Sequence, residues 1–390
     1  MRRWPWQARR VVSALSVLAV MAGALPGSGE TAAAAACPGR GHGWTVTSPP
    51  SPGTGSNSLA DVAVLSGCEA WAVGTAVSHG ATQTLTEHWD GSSWAVVPSP
   101  DPGRDSFLTG IRAVSPGTVW AVGYFTSGAA RRTLILHWAG TRWERVPSPS
   151  PGQDSELFSV RIVSAHNAWA VGFTGHSRRS SQKTLILHWN GMRWERVPSP
   201  SPGRAGSDDD LFSVTATSPR DAWAVGYIFR LPRIRTLILH WNGRHWAHVA
   251  SPSPGSDAEL FSVAATSRSN AWAVGPVTPS KTFILHWDGR RWKRVASPNQ
   301  GGAGQGNTLA AVTATSSRNA WAVGFYFFNG AAHHTLVLHW NGARWVHQRT
   351  PAQGDSSSLF GVDARSAGSA WAVGRFNTGG PSRAAALHCC

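Results

Sequence analysis

Short apolar runs recur along the chain at a nearly constant spacing. The string Ala-Trp-Ala-Val-Gly, in which Val replaces the first Ala once, places its tryptophan at seven positions separated by 49, 49, 54, 49, 49 and 50 residues. A spacing this regular identifies a repeated structural unit of about 49 residues. The seven tryptophans are Trp71, Trp120, Trp169, Trp223, Trp272, Trp321 and Trp371.

Each copy of the repeat contains four short apolar segments bounded by turn residues. In the third copy they are residues 157–163, 168–172, 184–189 and 194–197. Asn190-Gly191 separates the last two segments, where a tight hairpin needs residues that tolerate positive φ. Four strands per repeat predict a blade of a β-propeller, and the Pro-rich segments between copies predict extended connections.

The two ends of the chain supply parts of one repeat. The seventh copy stops after its third segment, at His388, whereas residues 43–47 match the fourth segment of the other copies. An N-terminal strand that completes the last blade closes a ring and leaves no open sheet edge. The sequence therefore predicts an all-β, seven-bladed β-propeller over residues 37–390.

The first 36 residues have the pattern of an export signal. Four arginines precede an apolar run at residues 11–25, and small residues follow at 31–36. The apolar run is shorter than the roughly 20 residues that span a bilayer. We expect residues 1–36 to be a cleaved signal peptide and the protein to be secreted, without a transmembrane segment in the mature chain. A retained anchor and a lipid on Cys37 are the alternatives.

Composition and charge narrow the classes of function. Charged side chains make up 14% of the chain, with 42 Gly and 25 Pro, which suits short strands and turns. The formal net charge is +15, and removing residues 1–36 leaves +12, almost all of it from arginine. This charge favours anionic partners such as acidic glycans, although a genomic preference for arginine explains it equally well. For nucleic acid it supports only non-specific attraction.

All four cysteines fall near the predicted seam of the ring. Cys37 precedes the donated strand, Cys389 and Cys390 end its partner, and Cys68 lies in the neighbouring first copy. Because disulfides persist in exported proteins, we expect Cys37 to pair with Cys389 or Cys390 and Cys68 with the other. Free thiols are the alternative. No histidine has a metal-site spacing to these cysteines, so we expect no metal site and no cofactor.

The many tryptophans and histidines could be taken for ligand-binding or metal-binding residues, but their regular positions in the repeat indicate a structural role. All the tryptophans after the signal fall at three repeat positions, and one histidine per copy stands just before the last position of the third segment. A side chain present in every blade is expected to pack between blades, and histidines in separate blades do not converge on one metal. The histidines are His88, His137, His188, His240, His286, His339 and His388.

The repeat resembles that of a group of bacterial secreted β-propeller proteins, which carry a WAVG strand, an LHWDG or LHWNG hairpin and a further tryptophan. The resemblance covers residues 41–388. The turn at Asp90-Gly91, followed by Trp94, is distantly similar to tectonin and Asp-box repeats, but it lacks the residue between Asp and Gly. The resemblance implies the propeller fold and no particular activity, because propellers serve as lectins, hydrolases and scaffolds.

Variation between copies is concentrated between the second and third segments, where a rigid scaffold normally carries binding specificity. Basic residues there are predicted to surround one face of the ring and to form a ligand-binding surface, with a merely solvated face as the alternative. Acids from the connections between copies, including Asp105, Asp154, Glu156, Asp257 and Glu259, are expected to neutralise this face in part. The candidate ligand-binding residues are Arg131, Arg132, Arg178, Arg179, Lys183, Arg230, Arg233, Arg235, Lys281, His333, His334 and Arg383.

These observations favour a monomeric, non-catalytic extracellular binding module for an acidic polysaccharide, another envelope polymer or a protein partner. A glycan-processing hydrolase of the propeller type is the second hypothesis, and a purely structural surface protein is the third. The one acidic run, Asp208-Asp209-Asp210, is expected in a solvated loop, so no catalytic residue is predicted. A cluster of Arg, carboxylate and Tyr at the centre of the ring would favour the hydrolase.

Overall fold

The computed structural model describes residues 43–176, 182–302, 305–328, 332–366 and 368–389. Within these ranges the chain forms 28 β-strands and no helix. The strands follow the repeat, with four of them for each copy, and they build repeated four-stranded sheets. The predicted all-β class is confirmed.

The first two strands are the longest in every copy except the fifth, whose first strand is shorter than its third. The first strands are β2 (Asn57–Ser66), β6 (Ser106–Ser115), β10 (Asp154–Ser164), β14 (Asp208–Ser218), β18 (Ser262–Ser267), β22 (Asn307–Ser316) and β26 (Ser356–Ser366). The second strands are β3 (Glu69–Ser78), β7 (Thr118–Ser127), β11 (Asn167–Gly175), β15 (Asp221–Arg230), β19 (Asn270–Val277), β23 (Asn319–Phe328) and β27 (Ser369–Asn377).

The third strands end on the His-Trp or His-Cys pair, and the fourth strands are short. The third strands are β4 (Ala81–Trp89), β8 (Ala130–Trp138), β12 (Lys183–Trp189), β16 (Arg233–Trp241), β20 (Lys281–Trp287), β24 (Ala332–Trp340) and β28 (Arg383–Cys389). The fourth strands are β5 (Trp94–Val96), β9 (Trp143–Arg145), β13 (Trp194–Val197), β17 (Trp246–His248), β21 (Trp292–Val295), β25 (Trp345–Gln348) and β1 (Trp44–Thr47).

Strands within a copy pair antiparallel in chain order. Five sheets have four strands each, and one eight-stranded sheet joins the second and third copies through a single parallel pair, Asp154 with Arg131. In the last sheet the order is β1-β28-β27-β26, with Trp44 opposite Cys389 and Thr47 opposite Ala386. The N-terminal strand therefore takes the place of a fourth strand in the sheet that the C-terminal copy builds.

The hydrophobic core lies between consecutive sheets. Trp169 of the third copy is buried and packs edge-on against Trp246 of the fourth copy, with ring centroids 5.2 Å apart, and other copies repeat this contact. His188 packs on the ring of Trp169 at 4.4 Å. Edge-to-face aromatic packing adds to the stabilisation from burial, so these tryptophans and histidines hold neighbouring sheets together, as the repeat predicts.

The turn between the third and fourth strands has the predicted chemistry. In the fourth copy Asn242 Oδ1 accepts hydrogen bonds from Arg244 N and His245 N at 3.0 and 3.1 Å, and Gly243 has a φ of +93°. The first-to-second-strand turn packs against it, since a Cβ on Gly243 would lie 3.1 Å from the Arg220 side chain. Both turns therefore lie at one end of the sheet.

In six of the seven copies the glycine of the Ala-Trp-Ala-Val-Gly string lies opposite a bulge in the neighbouring first strand. At this bulge the pairing of β14 with β15 shifts between Leu211 and Ser213, and the backbone comes close to Gly226. A Cβ at Gly226 would lie 1.8 Å from Asp210 O and 2.9 Å from Leu211 Cα. Only backbone surrounds the site, so relief requires the two strands to separate.

Gly226→Ala should therefore lower the free energy of unfolding by about 1–3 kcal/mol or more, the usual cost of overpacking. Chemical denaturation of the two proteins measures the difference. Gly117→Ala is the matched control, because a Cβ there meets nothing within 4 Å. Equal destabilisation by the two substitutions would contradict this explanation of the repeated glycine.

The described residues contain no helix long and apolar enough to cross a membrane. Residues 1–36, where we predict a signal peptide, lie outside the described residues, as does Cys37.

Candidate functional site

The hairpins between second and third strands lie at the same end of the sheets as the connections between copies. A threonine near the start of the third strand bonds a serine of the connection, as in Thr184 Oγ1 to Ser199 Oγ at 2.8 Å and Thr236 Oγ1 to Ser251 Oγ at 2.9 Å. We call this the hairpin end. It carries the candidate ligand-binding residues that the structure describes.

Three of the candidate arginines are engaged in structural contacts. Arg131 forms an ion pair with Glu156, and its guanidinium lies 5.6 Å from the ring centre of Tyr124. Arg132 Nη1 donates to the carbonyls of Ser150 and Gly152 at 3.3 and 3.2 Å. These side chains hold the connection between copies in place. Fewer arginines are therefore available to bind a ligand than the sequence predicts.

Arg235 repeats this role one copy later, since its Nη1 donates to Ser253 O at 2.9 Å. The carbonyls of the Pro-rich connections need donors because proline supplies none. An arginine five residues before the histidine of the third strand provides them. This function belongs to the scaffold and was not foreseen from the sequence.

Four other candidates are exposed at the hairpin end. Arg230 and Arg233 flank the turn between β15 and β16, and Lys281 and Arg383 begin β20 and β28. Lys183, at the start of β12, is half-buried. These side chains come from several copies, so the exposed cations are distributed around the hairpin end.

The two candidate histidines pack against aromatic rings. His333 Nδ1 lies 3.0 Å from Ser358 Oγ, and its ring stacks on Phe325 with centroids 4.6 Å apart. His334 stacks on Tyr326 at 5.4 Å. Arg178, Arg179 and Cys390 lie outside the described residues.

The acids of the connections turn towards the protein. Four of them bond the backbone at or just before the start of a third strand in the preceding copy, which fastens one copy to the next. The contacts are Asp105 Oδ1 with Thr82 N at 3.0 Å, Asp154 Oδ1 with Arg131 N at 3.1 Å, Asp208 Oδ1 with Gln182 N at 3.0 Å and Asp257 Oδ1 with Ile234 N at 3.0 Å. These carboxylates therefore face backbone groups of the protein, and they neutralise the exposed cations less than the sequence predicts.

Three carboxyl groups occupy the same repeat position in consecutive copies, one residue before the buried leucine. They are Glu156, Asp210 and Glu259. Burial raises the pKa of Glu156, although Arg131 opposes the shift, and it raises the pKa of Glu259 to about 7. Burial and the neighbouring Asp208 raise the pKa of Asp210 well above its usual range. These groups therefore keep their protons to higher pH than exposed carboxylates do.

The prediction that Asp208-Asp209-Asp210 forms a solvated loop was wrong. The three residues begin β14, where Asp209 is 0% and Asp210 is 3% exposed. Asp209 accepts hydrogen bonds from Gly203 N at 2.9 Å and Ser207 Oγ at 2.8 Å, and Asp210 is bonded by the Tyr227 hydroxyl. These donors compensate the burial of the acids.

A second group of charges lies on the first strands of the first, second and seventh copies. Arg112 Nη1 of β6 is 3.1 Å from Asp363 Oδ1 of β26, and Asp363 Oδ2 accepts from Val64 N of β2 at 2.9 Å. Asp61 Oδ2 accepts from Ile111 N at 3.0 Å. These carboxylates accept hydrogen bonds from the backbone of a neighbouring copy. In the middle copies serine hydroxyls accept the equivalent bonds, so the group stabilises the packing of the first strands.

The sequence identified the acids of the first group but did not predict their burial, and the second group was missed because its members lie in strands and not in loops. The signal that would have found them is departure from the repeat. The position before Val62 holds Asp61 in the first copy but serine in three others, and the position before Leu157, Leu211 and Leu260 is acidic in three consecutive copies.

A catalytic arrangement at these acids has limited access. Arg131, Glu156 and Tyr124 do lie together, as do Asp210 and Tyr227. However, Glu156 is only 1% exposed, so its carboxylate is packed within the ends of the strands. Within the described residues no group of three His, Cys, Asp or Glu side chains is arranged to hold a metal ion.

No protein-family model matches the chain, and no curated protein matches its sequence. Solved structures are similar to it in three dimensions. A structure of YCF48 bound to a D1 peptide is 12% identical, with 89% of this chain and 97% of that chain covered at a TM-score of 0.57. YCF48 from Cyanidioschyzon merolae is 14% identical, with 89% and 98% covered at a TM-score of 0.53.

A third similar structure is Chaetomium thermophilum Sqt1 bound to the N-terminus of the ribosomal protein L10. It is 11% identical, with 84% of this chain and 96% of that chain covered at a TM-score of 0.50. These are β-propeller proteins, so the chain has a propeller fold and its repeated sheets are blades. At such low identity the likeness shows the fold alone.

Proposed function

We propose that the chain is a seven-bladed propeller closed into a ring between its seventh and first copies. Contacts between the first strands of the copies support this. The first strand of each copy packs on the first strand of the next copy, from β2 through to β26, and β26 packs on β2. Across that seam Arg365 donates from Nε and Nη2 to Leu65 O at 3.0 and 2.9 Å. The single parallel pair between β8 and β10 supports treating the eight-stranded sheet as two blades.

The same seam supports export of the protein. Cys68 and Cys389 are both disulfide-bonded, and stable disulfides are characteristic of secreted proteins. We propose that Cys37 and Cys390 take part in these bonds and that residues 1–36 are a cleaved signal peptide. The mature protein is then secreted, with a ring tied covalently at its seam.

The function that the geometry supports best is non-catalytic binding of an acidic polymer at the hairpin end. One observation carries this proposal. Arg230, Arg233, Lys281 and Arg383 are exposed there, while most acids of the same end bond backbone groups or are buried with raised pKa values, and Asp355 is exposed. The surface offered to a ligand is therefore positive, and arginine is suited to paired hydrogen bonds with carboxylate, sulfate or phosphate groups.

A protein segment rich in acidic side chains presents the same chemistry as an acidic glycan. The YCF48 structure holds a D1 peptide and the Sqt1 structure holds the N-terminus of a ribosomal protein. These complexes support a protein partner as a second kind of ligand for this propeller. They do not favour one ligand chemistry over another.

The test is a binding assay of the secreted protein with polygalacturonate, polyglutamate and polyphosphate at low and near-physiological salt. The variant replaces Arg230, Arg233, Lys281 and Arg383 together with glutamine. We expect it to bind the preferred polymer about tenfold or more weakly at 0.15 M salt, because it loses several charge-assisted contacts.

The matched control replaces four exposed arginines at the opposite end of the sheets, Arg220, Arg244, Arg290 and Arg318. It has the same loss of net charge, so it should keep most of its affinity. Equal loss in the two variants, or binding to every polymer that disappears with salt, would leave only non-specific attraction and would contradict the proposal.

A glycan-processing hydrolase is the second candidate, favoured by the Arg131, Glu156 and Tyr124 group and by the raised pKa of Asp210. A carboxyl group with a raised pKa keeps its proton to higher pH, which suits a general acid. The same assay can measure the release of reducing ends from polygalacturonate. Release by the parent protein that is lost in Asp210→Asn would support the hydrolase over the binding module. Binding of the polymer without release of reducing ends would support the binding module.

A further inference from the structure

A small polar pocket of about 200 Å³ lies at the hairpin end between the sixth and seventh copies. One histidine, one arginine, one asparagine and three serines supply its polar lining, with no carboxylate among them. These residues are His333, Ser356, Ser358, Arg375, Asn377 and Ser382. The pocket thus contains one permanent positive charge and several hydrogen-bond donors.

Arg375 departs from the repeat. The residue after the Ala-Trp-Ala-Val-Gly glycine is Thr, Tyr, Phe, Tyr, Pro and Phe in the other six copies. The Arg375 guanidinium is half-buried and lies 5.6 Å from the ring centre of Phe360, and burial lowers its pKa. No salt bridge joins Arg375 to an acid of the described chain. A half-buried charge without a counter-charge is unfavourable, so this site gains most from an added anion.

The side chains around Arg375 are held in place. His333 is stacked on Phe325 and lies edge-on to Phe327, both with centroids 4.6 Å away, and its Nδ1 is 3.0 Å from Ser358 Oγ. Ser356 Oγ accepts a hydrogen bond from His333 N at 3.0 Å, which leaves the serine hydroxyl hydrogen for another acceptor. The donors are therefore preorganised around the guanidinium, which reduces the entropy cost of binding.

We propose that this pocket binds a single oxyanionic group, a phosphate or a carboxylate, with Arg375 as its counter-charge. A water molecule takes up roughly 30 Å³ in the liquid, so the volume admits a phosphate or a short carboxylic acid and no long polymer segment. The ligand is a small molecule or the charged end of a larger one. This inference goes beyond the proposed polymer binding, because none of the four exposed cations of that proposal lines the pocket.

Isothermal titration calorimetry of the intact protein with inorganic phosphate, and separately with acetate, tests the pocket. We expect saturable binding of one anion per chain in 0.15 M sodium chloride. Arg375→Gln should weaken it by about tenfold or more, the usual effect of losing a hydrogen bond to a charged group. Tighter binding of phosphate identifies a phosphoryl ligand, and tighter binding of acetate identifies a carboxylate.

Arg375→Thr restores the residue found in the first copy, at Thr75, so it should fold normally and lose the anion to the same degree. Arg318→Gln, which removes an exposed charge of the sixth copy at the opposite end of the sheets, is the control and should leave phosphate binding unchanged. Absence of saturable binding, or equal affinity in the Arg375 variants, would overturn the proposal. The polymer assay is independent, since it depends on the exposed cations and can succeed when this pocket fails.

Discussion

Replacing Glu87 with leucine should stabilise the protein by about 5 kcal/mol at pH 8 and by much less near pH 4.5. Glu87 lies in β4 and is 0% exposed, and neither carboxylate oxygen has a hydrogen-bond partner among the described residues. Burial raises its pKa from 4.5 to about 8. Every other copy has leucine at this position, namely Leu136, Leu187, Leu239, Leu285, Leu338 and Leu387.

The dependence on pH follows from the raised pKa. A folded state that holds its proton more tightly than the unfolded chain is favoured at low pH, where both states are protonated. As the pH rises from 4.5 to about 8 the unfolded chain ionises first, so the parent protein loses stability across this interval. Glu87→Leu removes this loss and adds apolar burial at a fully buried position.

Denaturant unfolding of both proteins at several pH values between 4.5 and 8 measures the effect. Glu87→Gln is the matched control, since it removes the charge and keeps the polar shape. It should abolish this part of the pH dependence with a smaller gain in stability. A parent and a Glu87→Leu protein whose stabilities change in parallel with pH would show that Glu87 is not buried as described.

Trp44→Ala should lower the free energy of unfolding by about 3–5 kcal/mol, the range for removing a buried tryptophan. Trp44 opens β1, is 6% exposed and packs edge-on against Trp321 with ring centroids 5.4 Å apart. It supplies to the last sheet the aromatic contact that the fourth strand gives every other copy. Its loss should also weaken the pairing of β1 with β28, and so the proposed closure of the ring.

Val46→Ala in the same strand is the control, because Val46 is 45% exposed and its truncation should cost little. Denaturant unfolding under oxidising and reducing conditions separates the strand from the disulfides. We expect the effect of Trp44→Ala to persist when the disulfides are reduced. Equal stability of the Trp44 and Val46 variants would mean that β1 does not complete the last blade.

The fold could be predicted because the same turn residues and strand segments occur in several copies of the repeat. Asn242-Gly243 predicts one tight turn, but an Asn-Gly or Asp-Gly pair at the same place in four other copies predicts a regular set of hairpins. The N-terminal strand was identified in the same way, since residues 43–47 match a segment that six copies contain and the seventh lacks. Repetition thus turns weak local propensities into a strong prediction of architecture.

The candidate site was harder to predict because a side chain's role depends on what faces it across a blade. Arg132 and Arg235 are loop cations by sequence, yet they donate to carbonyls that the Pro-rich connections leave free. The stronger signal was departure from the repeat. Glu87 and Arg375 each replace a residue type that other copies use for packing, and the structure places both in partly or fully buried surroundings.

Hydrogen–deuterium exchange of the secreted protein, with and without the polymer that it binds most tightly, tests most directly whether the hairpin end is the binding surface. We predict added protection in residues 228–235, 277–282 and 378–384, with no change in the turns at 90–93, 190–193 and 242–245. Protection of those turns instead, or exchange that the polymer leaves unchanged throughout, would contradict binding at the hairpin end.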